Sequence, residues 1–208
     1  DAILCEDTRK TLAFLNYHNI KKKLVCYAEF NKEKITPSII ESIKNGKLLA
    51  LVSDAGTPLI SDPGFFLIER LINEKINVVP IPGASAITTA ISGAGLNADK
   101  FLFIGFLSNN SKKTSELFTE FAGLKALIIF YESPKRIRKT LNIALEAFGN
   151  KKIVIARELT KLYEEFIRGS ILEILDNEEI CFKGELVVLL DNREKKNIDA
   201  NEHFIIDQ

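Results

Sequence analysis

The stretch Leu48-Leu49-Ala50-Leu51-Val52-Ser53-Asp54-Ala55-Gly56-Thr57-Pro58 decides the fold. Five apolar residues in succession, followed at once by polar and turn-forming ones, read as a buried strand that ends at Ser53-Asp54. After the Gly/Pro loop, Asp62-Pro63 supplies an N-cap with proline at the first helical position, and the pattern predicts a helix over 65–74. A second strand is expected over 77–81, broken by Pro82-Gly83. A helix of small residues follows over 85–92, ended by Gly93-Ala94-Gly95. Its Ala, Ser, Thr and Gly content means that another helix or a ligand packs close against it. Strand, loop, helix, strand is the order of α/β architecture.

The same alternation runs outward in both directions. Upstream, Ala2-Ile3-Leu4-Cys5 reads as a buried strand and 11–17 as a helix. Downstream, 101–103 is a strand, and Ser108-Asn109-Asn110-Ser111 is the best linker candidate. The pattern then restarts with a helix over 115–121, a strand over 126–131, a helix over 134–148 and a strand over 153–156. Further strands are expected over 164–167 and 185–190, with a short helix over 170–175 between them. The chain is therefore expected to hold an N-terminal α/β domain over 1–106, a C-terminal α/β domain over 107–192 and a polar tail over 193–208. In open α/β sheets ligands bind beyond the carboxyl ends of the strands. Five polar or glycine loops stand there: 53–58, 82–85, 105–106, 131–134 and 157–160. Their division between two domains points to a cleft at the interface.

Composition narrows the function. The chain has 208 residues, is 46% hydrophobic and 27% charged, and its 28 basic side chains balance 28 acidic ones. That is globular, neither disordered nor fibrous. Charge is also balanced in each half, without the basic excess of a sequence-independent nucleic-acid binder. The local clusters Lys21-Lys22-Lys23, Lys112-Lys113 and Lys135-Arg136 read as solvated helix ends and turns. No apolar run is long enough for a membrane span. Cys5, Cys26 and Cys181 are odd in number and far apart, which argues against a disulfide framework and suits a reducing cytoplasm. Methionine is absent, and the chain opens directly on an apolar strand, so it reads as a fragment whose first element is missing.

Neither GxxxxGK[ST] nor a GxGxxG after a strand is present, which disfavours an NTPase or a dinucleotide oxidoreductase. His18 and His203 stand alone, without HExxH or a Cys/His cluster, so no metal site is expected. Asp54-Ala55-Gly56-Thr57-Pro58 has two readings: a loop whose backbone groups read a ligand, or a tight turn capped by Asp54. Pro82-Gly83-Ala84-Ser85 is either a helix start that binds a carboxylate or a capped helix start. Glu6-Asp7-Thr8-Arg9 opens a helix with two carboxylates and a guanidinium, as chemistry or as a capping cluster. Arg157-Glu158 is either a structural ion pair or the polar floor of a site.

Read together, CEDTRKT (5–11), LVSDAGTPLISDPG (51–64), PIPGASA (80–86), IGF (104–106), FYESPKR (130–136), ARELTKLYEE (156–165) and KGELVVLL (183–190) resemble the ribosomal RNA small subunit methyltransferase I family. That family lies in the tetrapyrrole-methylase-like class of S-adenosylmethionine enzymes. The resemblance spans about residues 2–191. It implies a two-domain α/β fold with S-adenosylmethionine bound in the interdomain cleft, a homodimer, and no membrane. It implies methylation of a cytidine ribose 2′-hydroxyl in 16S rRNA of the small ribosomal subunit. By similarity, cofactor contacts fall at Asp54, Gly56, Thr57, Pro58, Ile60, Ser85, Ala86, Tyr131, Ala156 and Gly184. The family's opening strand with a TPIGNL-like loop has no match here, and its basic helical tail is reduced to a short polar stretch. Both absences suit a fragment.

Methyl transfer from a sulfonium is an in-line displacement, so catalysis rests mainly on holding the oxygen against the methyl carbon. A base at the hydroxyl adds ~10²–10⁴ in rate. Asp7 or Glu6 is the candidate base or hydroxyl-orienting group, with Asp54 and Glu132 as substitutes. Arg9 and Lys10 are expected to hold RNA phosphate, with Glu132, Arg157, Glu158 and Lys161 also placed toward the substrate. Two rivals stand beside this reading: a precorrin-type carbon methyltransferase, and a non-catalytic ribosome-binding module.

Overall fold

β1 (Ala2–Cys5) pairs in parallel with β2 (Lys23–Cys26) on one side and with β3 (Leu49–Val52) on the other, giving a three-stranded sheet of order β2-β1-β3. Parallel neighbours need crossover connections. These are α1 (Thr8–Tyr17) and α2 (Lys32–Lys44). Register puts Cys26, Cys5 and Val52 in one row, so the loops that follow the three strands leave from the same edge. Under the sheet Leu4 and Tyr27 pack with Ile39 of α2 and with Leu67 and Leu71 of α3 (Phe65–Asn73). This computed structural model describes residues 1–193, and the chain divides into two compact units, Asp1–Thr89 and Ala90–Gln208.

The second unit is built on a five-stranded sheet of order β4-β5-β8-β6-β7. β4 (Phe101–Phe106) runs parallel to β5 (Leu127–Glu132), β5 and β6 (Lys152–Arg157) both run antiparallel to β8 (Leu186–Asp191), and β7 (Glu165–Ser170) runs antiparallel to β6. The carboxyl ends of β4, β5 and β6 therefore share one edge with the starts of β7 and β8. α5 (Ser111–Phe121) packs on α6 (Ile137–Phe148), and α6 on α7 (Ile171–Asp176). Phe118, Phe130 and Phe148 meet with centroids 5.5 and 5.3 Å apart at the centre of the core. β5 reads LIIFYE and β8 LVVLLD, continuous apolar runs as expected of central strands.

Four expectations change. Residues 77–81 form no strand: Pro80 and Pro82 offer no N–H to a ladder, and the segment joins neither sheet. Asp62-Pro63 does not start a helix; α3 is capped by Gly64 at φ 142°, a conformation open only to glycine, with Leu59 and Leu51 side chains where a Cβ would stand. β4 pairs with β5 in the second sheet, and the contact boundary falls within α4 (Ala86–Ala94), not at 106/107. The neighbour that makes Gly93 small is neither a helix nor a ligand: the Phe166 ring of β7 occupies the place of its Cβ. Arg168 completes that contact, donating to Gly93 O at 2.6 Å and to Ala94 O at 3.4 Å at the end of α4. The tail expected over 193–208, and His203 with it, lie outside the described residues apart from Arg193.

Candidate functional site

In the first unit the shared edge of the parallel sheet gathers Glu6, Asp7, Arg9, Lys10 and Asp54. Asp7 is the N-cap of α1: its Oδ1 accepts from Arg9 N at 2.9 Å. The same carboxylate takes both arms of the Arg9 guanidinium, Nε at 3.0 Å and Nη2 at 2.7 Å. These bonds hold the Asp7 carboxyl well below the usual carboxylate range. Asp54, just past β3, accepts Asp7 N at 3.2 Å and Lys10 Nζ at 2.8 Å, and so ties the start of α1 to the neighbouring strand. Lys10 is raised in turn by Asp54. Glu6 is exposed, and among the described residues its carboxylate has no hydrogen-bond partner; its carbonyl accepts from Cys26 Sγ at 3.4 Å.

The loop after β3 is tied to the entry of α4. Thr57 Oγ1 donates to Ala84 O at 2.9 Å, and Gly56, at φ 72°, lies with its Cβ position 3.7 Å from the same carbonyl. Ser53 Oγ closes the loop on Gly56 O at 3.0 Å. Leu59 and Ser61 both have positive φ, 74° and 63°, on either side of the exposed Ile60. Ser85 O accepts the first bond of α4, from Thr89 N at 3.0 Å, and Ala86 begins the helix. The result is a wall of mostly small, uncharged residues, set beside the carboxylates of Glu6, Asp54 and Asp62.

Asp62 is the residue that sequence reasoning assigned to the wrong task. Freed from capping, its carboxyl is pushed up by burial first, and then by the negative charge of Glu6 and Asp54. The signal for it was Gly64, whose position directly before the apolar helix offered a competing cap.

In the second unit the corresponding edge carries Tyr131, Glu132, Ala156, Arg157, Glu158, Lys161 and Gly184. Register sets Glu132, Leu186, Arg157 and Glu165 in one row across four strands. The Tyr131 ring packs against Phe103 and Phe106, each at 4.9 Å. Glu132 is buried and fully engaged: it accepts from Thr140 Oγ1, Ser133 N and Arg136 Nη2, all at 2.6 Å. With three donors already on a carboxylate that is 3% exposed, the position speaks for a structural task. Arg157 pairs with Glu165 at 2.9 Å across the β6–β7 ladder. Glu158, at φ 50°, accepts from Glu185 N at 2.8 Å and from Lys161 Nζ at 2.9 Å. Its carboxyl is lowered by Lys161 and by that backbone bond. Ala156 is fully buried. Among the described residues no cluster of three His, Cys, Asp or Glu side chains could hold a metal.

A chain of two α/β units, with tight loops at the carboxyl ends of its strands, matches the Tetrapyrrole (Corrin/Porphyrin) Methylases family model over residues 1–175, and it belongs to that family. It is 45% identical to the Ribosomal RNA small subunit methyltransferase I of Halalkalibacterium halodurans, over 94% of this chain and 68% of that protein. To the Ribosomal RNA small subunit methyltransferase I of Thermotoga maritima it is 42% identical, over 93% of this chain and 87% of that protein. The resemblance read from the motifs is thereby borne out. Among solved structures, a Thermus thermophilus uroporphyrin-III C-methyl transferase complexed with S-adenyl homocysteine aligns with a TM-score of 0.57 at 14% identity, covering 92% of this chain and 85% of that one. At that identity the match shows the fold alone.

Proposed function

We propose that this chain transfers a methyl group from S-adenosylmethionine to the 2′-hydroxyl of a cytidine ribose in 16S rRNA of the small ribosomal subunit. The observation that carries the reading is the 45% identity, over nearly the whole chain, to a ribosomal RNA small subunit methyltransferase I. The tetrapyrrole rival has the family model's name and remote structural likeness behind it, whereas the relatives at 45% and 42% identity are ribosomal RNA small subunit methyltransferases I.

The residues fit the cofactor. The wall formed by Gly56, Thr57, Pro58, Ile60, Ser85 and Ala86 offers small side chains and backbone groups. The carboxylates of Glu6, Asp54 and Asp62, gathered at one edge, suit a cation. The cofactor, when bound, supplies an electrophilic methyl on a sulfonium. In the second unit Tyr131, Ala156 and Gly184 are proposed as further cofactor contacts, and Arg157 and Lys161 as lying toward the substrate.

Proton acceptance from the ribose hydroxyl is assigned to Glu6, whose carboxylate is open, whereas Asp7 is saturated by Arg9. Asp7, Arg9, Lys10 and Asp54 then form one rigid group that places Glu6 and meets RNA phosphate. The resemblance supports a homodimer working in the cytoplasm. Among the described residues no helix is long and apolar enough to cross a membrane.

The test is incubation with radiolabelled S-adenosylmethionine and small subunits that lack the modification, followed by mapping of the labelled nucleotide. Label on a cytidine ribose is expected. Label on a base, or on a tetrapyrrole alone, overturns the reading.

A further inference from the structure

The segment from Thr8 to Ala28 carries Arg9, Lys10, Lys21, Lys22 and Lys23 and not one carboxylate, in a chain whose net charge is zero. Arg9 and Lys10 are engaged by Asp7 and Asp54. Lys21, Lys22 and Lys23 are exposed and, among the described residues, have no ion-pair partner.

The helix that precedes these lysines buries only Thr11 and Leu15. On its outer side Phe14, Tyr17 and His18 stand at i, i+3 and i+4, the spacing that puts side chains on one face. Both rings meet His18 edge-on, with centroids 4.6 Å from Phe14 and 5.0 Å from Tyr17. Phe14 is 60% exposed and Tyr17 83%. Three rings joined through His18 thus stand in solvent, and the exposed lysines that follow them in the chain have, among the described residues, no carboxylate to neutralise them. Aromatic faces next to cations are what a single strand of nucleic acid uses: bases stack on the rings while phosphates meet the charges.

We propose that this face is an RNA-binding platform, on which Phe14, Tyr17 and His18 take unpaired bases and Lys21, Lys22 and Lys23 take the phosphates that follow. The inference rests on the reading of the substrate as RNA and adds where, and in which form, the strand is held. An anionic membrane would also attract the lysines. Insertion at a membrane interface, however, calls for a broad apolar stripe, and ten-residue α1 already spends Leu15 on the core.

The full 208-residue chain is titrated with a fluorescent single-stranded oligoribonucleotide of about 12 nucleotides. A duplex of the same sequence, and vesicles of phosphatidylcholine with phosphatidylserine, serve as the other probes. Single-stranded RNA is expected to bind best. Phe14→Ala with Tyr17→Ala is expected to weaken it by about tenfold or more. Lys21→Ala, Lys22→Ala and Lys23→Ala together are expected to reduce the slope of log K against log salt by about 2. Both variants are expected to keep the wild-type unfolding midpoint and cofactor affinity.

Unchanged RNA affinity in either variant, equal binding of the duplex, or preference for the vesicles overturns the platform. Methyl transfer to small subunits is scored in parallel. Transfer that both variants leave intact, with RNA affinity also unchanged, fails the platform alone. No transfer by the wild type, with variant-sensitive RNA binding, fails the proposed activity alone.

Discussion

The Glu158 carboxylate fills the space beside Gly184 that any side chain at position 184 would need. Both residues adopt positive φ, 50° and 77°, and the pair is locked by reciprocal bonds through Glu185: Glu158 N donates to Glu185 O at 3.0 Å, and Glu185 N to Glu158 Oε1 at 2.8 Å. The loop after β6 and the entry to β8 are thereby one object. Strained backbone held by its surroundings in this way is characteristic of functional loops.

Gly184→Ala should therefore act through both strain and collision. The left-handed backbone costs a residue with a Cβ about 1 kcal/mol, and forcing the carboxylate aside adds about 1–3 kcal/mol. Urea unfolding should show a loss of ~2 kcal/mol or more. In a Glu158→Ala background the same substitution should cost distinctly less, because the obstructing carboxylate is gone. Equal cost in both backgrounds would show that the two side chains do not compete for space.

Asp62 sets a pH dependence with a definite sign. Its carboxyl is raised on folding, by burial and then by Glu6 and Asp54, so the folded state favours the protonated form. That contribution is complete below the ordinary carboxylate pKa and is lost as pH rises through the raised value. At neutral pH ionised Asp62 opposes folding. Asp62→Asn should raise the unfolding midpoint at pH 7, and its advantage should shrink as the pH is lowered and disappear below the carboxylate range. Thermal unfolding of both proteins at a series of pH values measures it.

Tyr27 is buried at the centre of the first unit's core, and its hydroxyl finds no hydrogen-bond partner among the described residues. An unmet buried hydroxyl costs free energy that its ring packing must offset. Tyr27→Phe keeps the ring and removes the hydroxyl. The variant should be more stable by about 1 kcal/mol in urea unfolding. A loss of stability would mean that the hydroxyl is satisfied in solution.

Much of this architecture was legible because uninterrupted apolar runs followed by polar loops have few other readings. β3, β5, β6 and β8 all declare themselves in that way. β2 escaped notice because KLVC is short and begins on an exposed lysine, and α2 because Pro37 interrupts its helical pattern. The segment 77–81 misled because its apolar residues look like a strand, while the prolines that deny it a ladder look like its boundary. At the candidate site, Asp7 and Asp54 could be singled out, since their loops follow strands. Their division of labour could not, because it depends on which carboxylate meets Arg9 and which meets Lys10 across a strand pair. Glu132 likewise shows its structural engagement only once Thr140 and Arg136, a helical turn or two away, are folded against it.

The saturated Asp7–Arg9 pair makes the sharpest kinetic distinction. Asn at position 7 can still accept from Arg9 N and cap α1, but its amide cannot receive both arms of the guanidinium. Arg9 should then swing out of place while the cofactor wall at 56–58 and 84–86, which Asp7 does not touch, stays as it is. Displacement of a positioning group by about 1 Å is enough for ~10² in rate. Asp7→Asn should thus lower the methyl-transfer rate by about that factor, with cofactor affinity almost unchanged. Because the Asp7 carboxyl lies well below the usual range, it stays ionised throughout neutral pH, and the loss should be the same at every pH in that region. Glu6→Gln, which removes the proposed proton acceptor itself, should lower the rate by ~10²–10⁴. Single-turnover transfer to small subunits, with cofactor binding measured alongside, checks both. An equal fall of rate and cofactor affinity in Asp7→Asn would remove Asp7 from the group that positions the substrate.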